Sequence, residues 1–217
     1  MIQLQHVYKT YPGPVHALRG INLNIEKGEF AFITGPSGAG KTTLFKMLSG
    51  FDIPSSGKIE VADYNLSEIK KSDLPYLRRK IGVVFQDFKL LLDRSVYENV
   101  ALPLKILNEK PGKIKYLVEE VLEKVGLAEK SNTVASCLSG GEQQRVAIAR
   151  AIVHKPDLII ADEPTGNLDP KLSWEIMELF HQANQDGMTL IIATHDYSFF
   201  EKYKKRRIDL RAGEVQL

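Results

Sequence analysis

Four short runs of the chain are apolar at nearly every position: Phe30 to Thr34, Ile81 to Phe85, Leu158 to Ala161 and Leu190 to Thr194. Each is too short for a helix and rich in β-branched or aromatic residues, so each reads as a strand. A strand with no polar alternation has no wet face, which predicts a parallel sheet covered on both sides. Ile2 to Tyr8 and Ala17 to Ile25 alternate or nearly so, around a Pro12-Gly13-Pro14 turn. An antiparallel sheet lying against the parallel core is expected there. Between Pro111 and Gly126 the period lengthens: Ile114, Leu117, Val118, Val121, Leu122 and Val125 share one helical face, and Gly126 stands where a C-terminal cap glycine belongs. A second helix starts near Gly141, and together they predict a helical lobe over roughly 87–155, inserted in the sheet domain. Trp174 to Phe180 reads as a further helix, capped by Asp169-Pro170. The expected fold class is α/β, with a mixed sheet, an N-terminal antiparallel subdomain and an inserted α-helical subdomain in one domain over 1–217.

The first apolar strand runs into Gly35-Pro36-Ser37-Gly38-Ala39-Gly40-Lys41-Thr42, followed by Thr43 and a helix to about Leu48. This is the G-x-x-x-x-G-K-[ST] nucleotide loop in its required strand–loop–helix context. A triphosphate crowds negative charge into a small volume, so the loop must offer backbone N–H groups without side-chain bulk, and a helix N-terminus adds its dipole. Lys41 is expected on the β- and γ-phosphates of ATP and the Thr42 hydroxyl on Mg²⁺. A second apolar strand ends in Asp162-Glu163, at the sheet edge where open α/β folds bind ligands. Asp162 is expected to hold Mg²⁺, and Glu163 to polarise the attacking water as general base.

Leu138-Ser139-Gly140-Gly141-Glu142-Gln143 has no use in a lone nucleotide pocket, and His195 follows the last apolar strand. With the glycine loop and Asp162-Glu163, these motifs resemble the ATPase subunits of ABC transporters, in family order from Tyr11 to His195. The resemblance implies a head-to-tail homodimer with two ATP molecules sandwiched between a glycine loop of one copy and Ser139, Gly140, Gly141 and Glu142 of the other. It also implies that Tyr11 stacks on adenine, Gln86 contacts Mg²⁺ and water, His195 contacts the γ-phosphate, and Asp169 crosses the dimer interface.

Composition changes this picture little. With 29 Lys and Arg against 27 Asp and Glu, the net charge of +2 makes no case for nucleic acid. Cys137 is the only cysteine, so an intrachain disulfide is excluded, a reducing compartment fits, and the residue reads as small packing. No stretch approaches the ~20 apolar residues of a bilayer span, and no signal peptide is expected from Met1-Ile2-Gln3-Leu4-Gln5-His6.

The stretch from Gln86 to Val100 is similar to the bacterial cell-division branch of the family, whose ATPase drives an integral membrane subunit in the control of cell-wall hydrolysis. Lipoprotein-release and efflux ATPases are close alternatives. DNA-associated relatives separate the glycine loop from the signature by a long coiled coil, and no sustained heptad run occurs here. A peripheral place on the cytoplasmic face of the inner membrane is therefore expected. Phe88, Leu90, Leu91, Leu92 and Tyr97 could form an apolar groove for a partner helix, although Leu90 and Leu92 read better as core. Lys202, Lys204, Lys205, Arg206 and Arg207 read as a solvated turn before a last strand at Ile208 to Leu210.

Overall fold

Two strands at the N-terminus already set the half-wet character of one sheet: β1 (Ile2–Tyr11) and β2 (Val15–Ile25) pair antiparallel and bury alternate side chains. The computed structural model describes residues 1–13 and 15–216, so Pro14 of the expected turn lies outside the described residues. The strict alternation of β1 slips once, between Leu4 and Val7, where His6 takes a positive φ of 48°.

β3 (Phe30–Thr34) follows, then α1 (Lys41–Leu48), β4 (Ser56–Val61), β5 (Tyr64–Asn65), α2 (Leu74–Arg79) and β6 (Ile81–Val84). Three helices come next: α3 (Val96–Ile106), α4 (Pro111–Lys124) and α5 (Gly140–Ile152). β7 (Leu158–Asp162), α6 (Pro170–Gln185), β8 (Thr189–Ala193), α7 (Tyr197–Tyr203), β9 (Arg206–Arg211) and β10 (Glu214–Gln216) complete the described chain. The first sheet has the order β2-β1-β4-β5 and is antiparallel. The second has the order β10-β9-β3-β8-β7-β6, parallel throughout except for the β9–β10 hairpin.

Residue parity along the parallel strands explains why both faces are covered. Phe30 and Phe32 enter one core while Ala31 and Ile33 enter the other; Ile159 and Ala161 divide from Leu158 and Ile160 in the same way. One core is closed by α3 to α7, the other by α1 and the antiparallel sheet. β3, β7 and β8 are buried at every position, as near-continuous apolar strands require.

Four expectations need correction. Leu92 is not core: it is 51% exposed, Leu91 is exposed too, and only Leu90 packs partly against the core. The cause is Asn99, fully buried on α3, which accepts from the Leu91 N–H at 2.8 Å and donates to the Leu91 and Ser95 carbonyls at 2.9 and 3.0 Å. The segment's backbone is thus held inward by a side chain, and its leucines turn out. Cys137 is exposed, at the end of a one-turn 3₁₀ segment whose Ala135 is the buried member. The basic cluster is not a turn before Ile208, because β9 already starts at Arg206, opposite Ala31. Arg206 donates to the Asn24 carbonyl at 2.7 Å and to Glu29 at 3.0 Å, and Lys202 lies over the Trp174 ring. Finally, the apolar groove forms elsewhere. A cavity of about 360 Å³ is walled by Phe51, Phe85, Leu102, Pro103, Ile106 and Leu107, with Arg78 and Arg79 at its rim. Phe51 and Phe85 meet edge to face at 5.5 Å, and the Arg78 guanidinium lies 4.5 Å over Phe51.

His154 also lines this groove, its Nδ1 buried without a partner, and burial pulls its pKa down to about 4. The unfolded chain takes up that proton near its ordinary 6.5. Stability is therefore full above 6.5 and falls as pH drops toward 4, because the unfolded state binds the proton first. His154→Gln is expected to remove on the order of 1 kcal/mol of the loss between pH 7 and 5. Thermal melts of both proteins across that range check it; parallel curves would reject the assignment.

Candidate active site

The glycine loop is pressed against two neighbouring strands. Gly35 has φ 143°, and a β-carbon there would lie 2.0 Å from the Leu210 carbonyl oxygen of β9. Gly40 has φ 104°, with the Ala17 carbonyl of β2 2.6 Å from the same hypothetical carbon. Any side chain at either place collides with backbone that cannot yield, in a conformation L-residues avoid. Gly40 is the N-cap of α1, and α1 has neither a side-chain cap nor an acid in its first turn. Its N-terminal N–H groups are left for an external anion. Lys41 lies back across the loop, Nζ donating to the Gly35 carbonyl at 2.6 Å and the Pro36 carbonyl at 3.2 Å.

β7 brings Asp162 to the same edge. The Thr42 hydroxyl donates to Asp162 Oδ2 at 2.9 Å. Burial raises the Asp162 pKa, opposed by the Thr42 hydrogen bond and the Lys41 charge, so the carboxylate sits where a cation would relieve its desolvation. Thr42, Asp162, Gln86 and Tyr11 line one cavity of about 820 Å³. Its oxygen donors fit Mg²⁺, which takes one or two carboxylates and completes its shell with waters and phosphate. Among the described residues no cluster of three or more His, Cys, Asp or Glu could hold a metal ion.

Tyr11 is tethered: its hydroxyl donates to Asp52 Oδ2 at 2.7 Å, and Lys9 Nζ reaches Asp52 Oδ1 at 2.5 Å and the Tyr11 ring at 4.9 Å. Burial works against ionisation of Asp52, but the hydrogen bonds from Lys9 and Tyr11 prevail and lower its pKa. Burial, then the bond to Asp52, raises the pKa of Tyr11.

Glu163 follows Asp162 directly yet lines a different cavity, about 270 Å³, with His195, Ser173 and Asp196. The reason is its backbone: φ is 49°, the left-handed region, which turns consecutive acids apart. The strained residue is held by its N–H to the Ala193 carbonyl at 3.0 Å, while its own carbonyl accepts from Gly166 N–H and Gln144 Nε2, each at 3.2 Å. Its carboxylate Oε2 lies 2.9 Å from His195 Nδ1. That leaves the far side of the 80% exposed imidazole open.

The signature residues are elsewhere: neither cavity is lined by residues 139 to 142. Ser139 caps α5 and closes a reciprocal box, Ser139 N–H to Glu142 Oε2 at 3.0 Å and Glu142 N–H to Ser139 Oγ at 3.4 Å. Lys130 also binds Glu142, and with the Ser139 N–H brings its pKa down to about 2. Two expectations change. The Glu142 carboxylate is committed to its own helix, and the Ser139 N–H is occupied by it, so the Gly140 and Gly141 N–H groups and the Ser139 hydroxyl are what this end can offer an anion. Asp169 caps α6, Oδ1 accepting from Leu172 N–H at 3.1 Å.

Asp52, Lys9 and Gln144 are contacts that sequence reasoning missed. Only Gln144 left a signal: it is the one polar residue among the buried positions of α5, beside Val146, Ala147, Ile148, Ala149 and Ala151.

Comparison with known proteins adds the following. Residues 18–166 match the family described as ABC transporter. The cell division ATP-binding protein FtsE of Bacillus subtilis (strain 168) is 50% identical over 215 residues, spanning 99% of this chain and 94% of that one. The protein of the same name from Escherichia coli (strain K12) is 46% identical over 215 residues, spanning 99% and 97%. Among solved structures, the ATP-binding cassette MJ0796, dimeric in a post-hydrolysis state with ADP and Pi, superposes with a TM-score of 0.94 at 38% identity, covering 100% of this chain and 97% of that one.

Proposed function

The chain belongs to the ABC transporter family, and on that premise we propose that it is an FtsE-like ATPase that dimerises around ATP and drives an integral, FtsX-like membrane subunit in cell division and the control of cell-wall hydrolysis. The observation that carries the chemistry is the Asp162–Glu163 pair: adjacent in sequence, they serve two adjoining cavities, one with Thr42 and the other with His195.

In this reading the glycine loop from Gly35 to Thr43 and the open N-terminus of α1 bind the phosphates, and Lys41 exchanges its loop carbonyls for β- and γ-oxygens. Thr42, Asp162 and Gln86 hold Mg²⁺, which when bound neutralises charge on the transferring phosphoryl group. Glu163 takes the proton of the attacking water, and His195 both orients Glu163 and faces the γ-phosphate. Tyr11, fixed by Asp52, supplies a ring for adenine. Ser139, Gly140 and Gly141 of a second copy close the site from the other side, with Asp169 at the interface; two-fold symmetry then makes two such sites. The separation of residues 139–142 from both cavities supports a site that one copy does not complete.

The helical lobe, roughly 87–155, carries the motion to the membrane subunit, and the groove between Phe51, Phe85 and Ile106 receives a helix of that subunit. No helix among the described residues is long and apolar enough to span a membrane, so attachment at the cytoplasmic face of the inner membrane falls to the partner. No nucleic acid is part of this reading: the longest described helix has 16 residues, against the long coiled coil of DNA-associated relatives.

Affinity capture of the tagged chain from detergent-solubilised membranes in MgATP tests the partner. Recovery of an FtsX-like subunit is expected. A lipoprotein-release or efflux permease in its place would keep the ATPase and overturn the assignment to division; no membrane subunit at all would overturn the membrane partner and favour a DNA-associated ATPase of the same family.

A further inference from the structure

Gln86 sits inside a tight turn closed by Phe88 N–H to the Phe85 carbonyl at 3.1 Å and Lys89 N–H to the Asp87 carbonyl at 2.6 Å. The two residues that end this turn, Phe88 and Lys89, both have left-handed backbones, with φ of 58° and 48°. Consecutive non-glycine residues in that region are strained and persist only where something outside the turn holds them. What holds them is Arg150, from the last turn of α5. Its Nη1 donates to the Lys89 carbonyl and its Nη2 to the Phe88 carbonyl, both at 2.7 Å.

This use of an arginine is unusual in its chemistry. Burial lowers the Arg150 pKa, and among the described residues its side chain pairs with no carboxylate. The guanidinium is only partly buried, its bond to Lys89 exposed and that to Phe88 half-buried, so its fork is spent on backbone carbonyls rather than on an ion pair. The planar fork gives each of two adjacent carbonyls its own N–H in a fixed, rigid geometry, which the rotating point charge of an ammonium does not hold in place. Arg150 also lines the apolar groove, and its helix begins at the signature residues and carries Gln144, which holds the carbonyl of Glu163.

We propose that Arg150 is a positioning residue: it fixes the strained 88–89 turn and thereby holds Gln86 at the Thr42–Asp162 cavity, tying this catalytic loop to the helix that bears the signature. The proposal rests on the reading of Gln86 as the residue that meets metal and water.

The full-length variants Arg150→Ala, Arg150→Lys and Gln86→Ala test it. Arg150→Ala is expected to lower kcat about tenfold or more, the scale of a misplaced catalytic group, and to raise the Mg²⁺ concentration for half-maximal rate. Affinity for a fluorescent ATP analogue without Mg²⁺ stays near wild type. Arg150→Lys behaves like the alanine variant, since it keeps charge and loses the fork. Hydrogen exchange in the nucleotide-free protein should accelerate at the Phe88 and Lys89 amides. Lys89→Gly added to Arg150→Ala should restore part of kcat, because glycine accepts the left-handed backbone unaided. A purely packing role would lower thermal stability and nucleotide affinity together, with no recovery from Lys89→Gly, and would overturn the proposal. If Gln86→Ala impairs turnover while Arg150→Ala does not, the Arg150 link alone fails; if Gln86→Ala has no effect, the reading of Gln86 fails with it.

Discussion

Glu163→Gln stops turnover while leaving ATP bound, and converts the protein into a stable dimer in MgATP. Removal of a positioned general base costs roughly 100- to 10,000-fold in rate. The substitution is nearly isosteric, so the left-handed backbone at 163 keeps its bonds to Ala193, Gly166 and Gln144. Phosphate binding is also spared, because Thr42 and Asp162 line the other cavity and Lys41 lies across the glycine loop, none of them bonded to Glu163. Nucleotide that binds but is not cleaved holds the two copies together, so the closed state accumulates. Sedimentation of the variant with saturating MgATP should give twice the wild-type mass, and nucleotide recovered from it should be ATP. A monomer under those conditions would break the argument for a shared site at its root.

Lys41→Ala acts on the opposite end and gives the opposite phenotype: no nucleotide-dependent dimer and almost no turnover. Hydrogen bonds to charged groups contribute about 1.5–3 kcal/mol each, so loss of one ammonium serving two phosphates weakens MgATP binding on the order of 100-fold. Little else should change. Lys41 Nζ meets only the Gly35 and Pro36 carbonyls of its own loop, and the loop's shape is set by Gly35 against β9 and Gly40 against β2. Calorimetric titration with MgATP, beside a thermal melt of the free protein, separates the two effects. An unaltered affinity would remove Lys41 from the phosphate site; a collapsed melt would make it a structural residue.

Much of this was legible in the chain. The parallel strands announced themselves because both faces are buried, and their parity sorts Phe30 and Phe32 from Ala31 and Ile33 into two cores. α4 followed from its period and ended at Gly126, whose φ is 65°. α6 starts at Pro170, at the Asp169-Pro170 cap read from the sequence, and runs past Phe180 to Gln185. The site was legible where a motif maps onto backbone, as at Gly35 to Thr42 and at Asp162-Glu163. It was less legible where one motif carries two meanings. Ser139-Gly140-Gly141-Glu142 fits S-x-x-E, a capping box; the nucleotide reading counted Glu142 among the residues that meet ATP, and its carboxylate closes that box. Leu92 was misread for a different reason: the partner that turns it outward, Asn99, acts through backbone carbonyls, which no side-chain pattern records. Arg150 was invisible on the same ground.

The capping box at Ser139 bears on how fast two copies can find each other. With Ser139 and Glu142 locked to one another and to Lys130, the Gly140 and Gly141 N–H groups have a fixed direction before any second copy arrives. In the proposed dimer, docking then demands no ordering of residues 139–142, and the entropic penalty of association is confined to rigid-body freedom. Assembly in MgATP should therefore approach the rate of a preformed, lock-and-key encounter, and its lifetime should be governed by departure of the cleaved phosphate rather than by rearrangement of the signature loop.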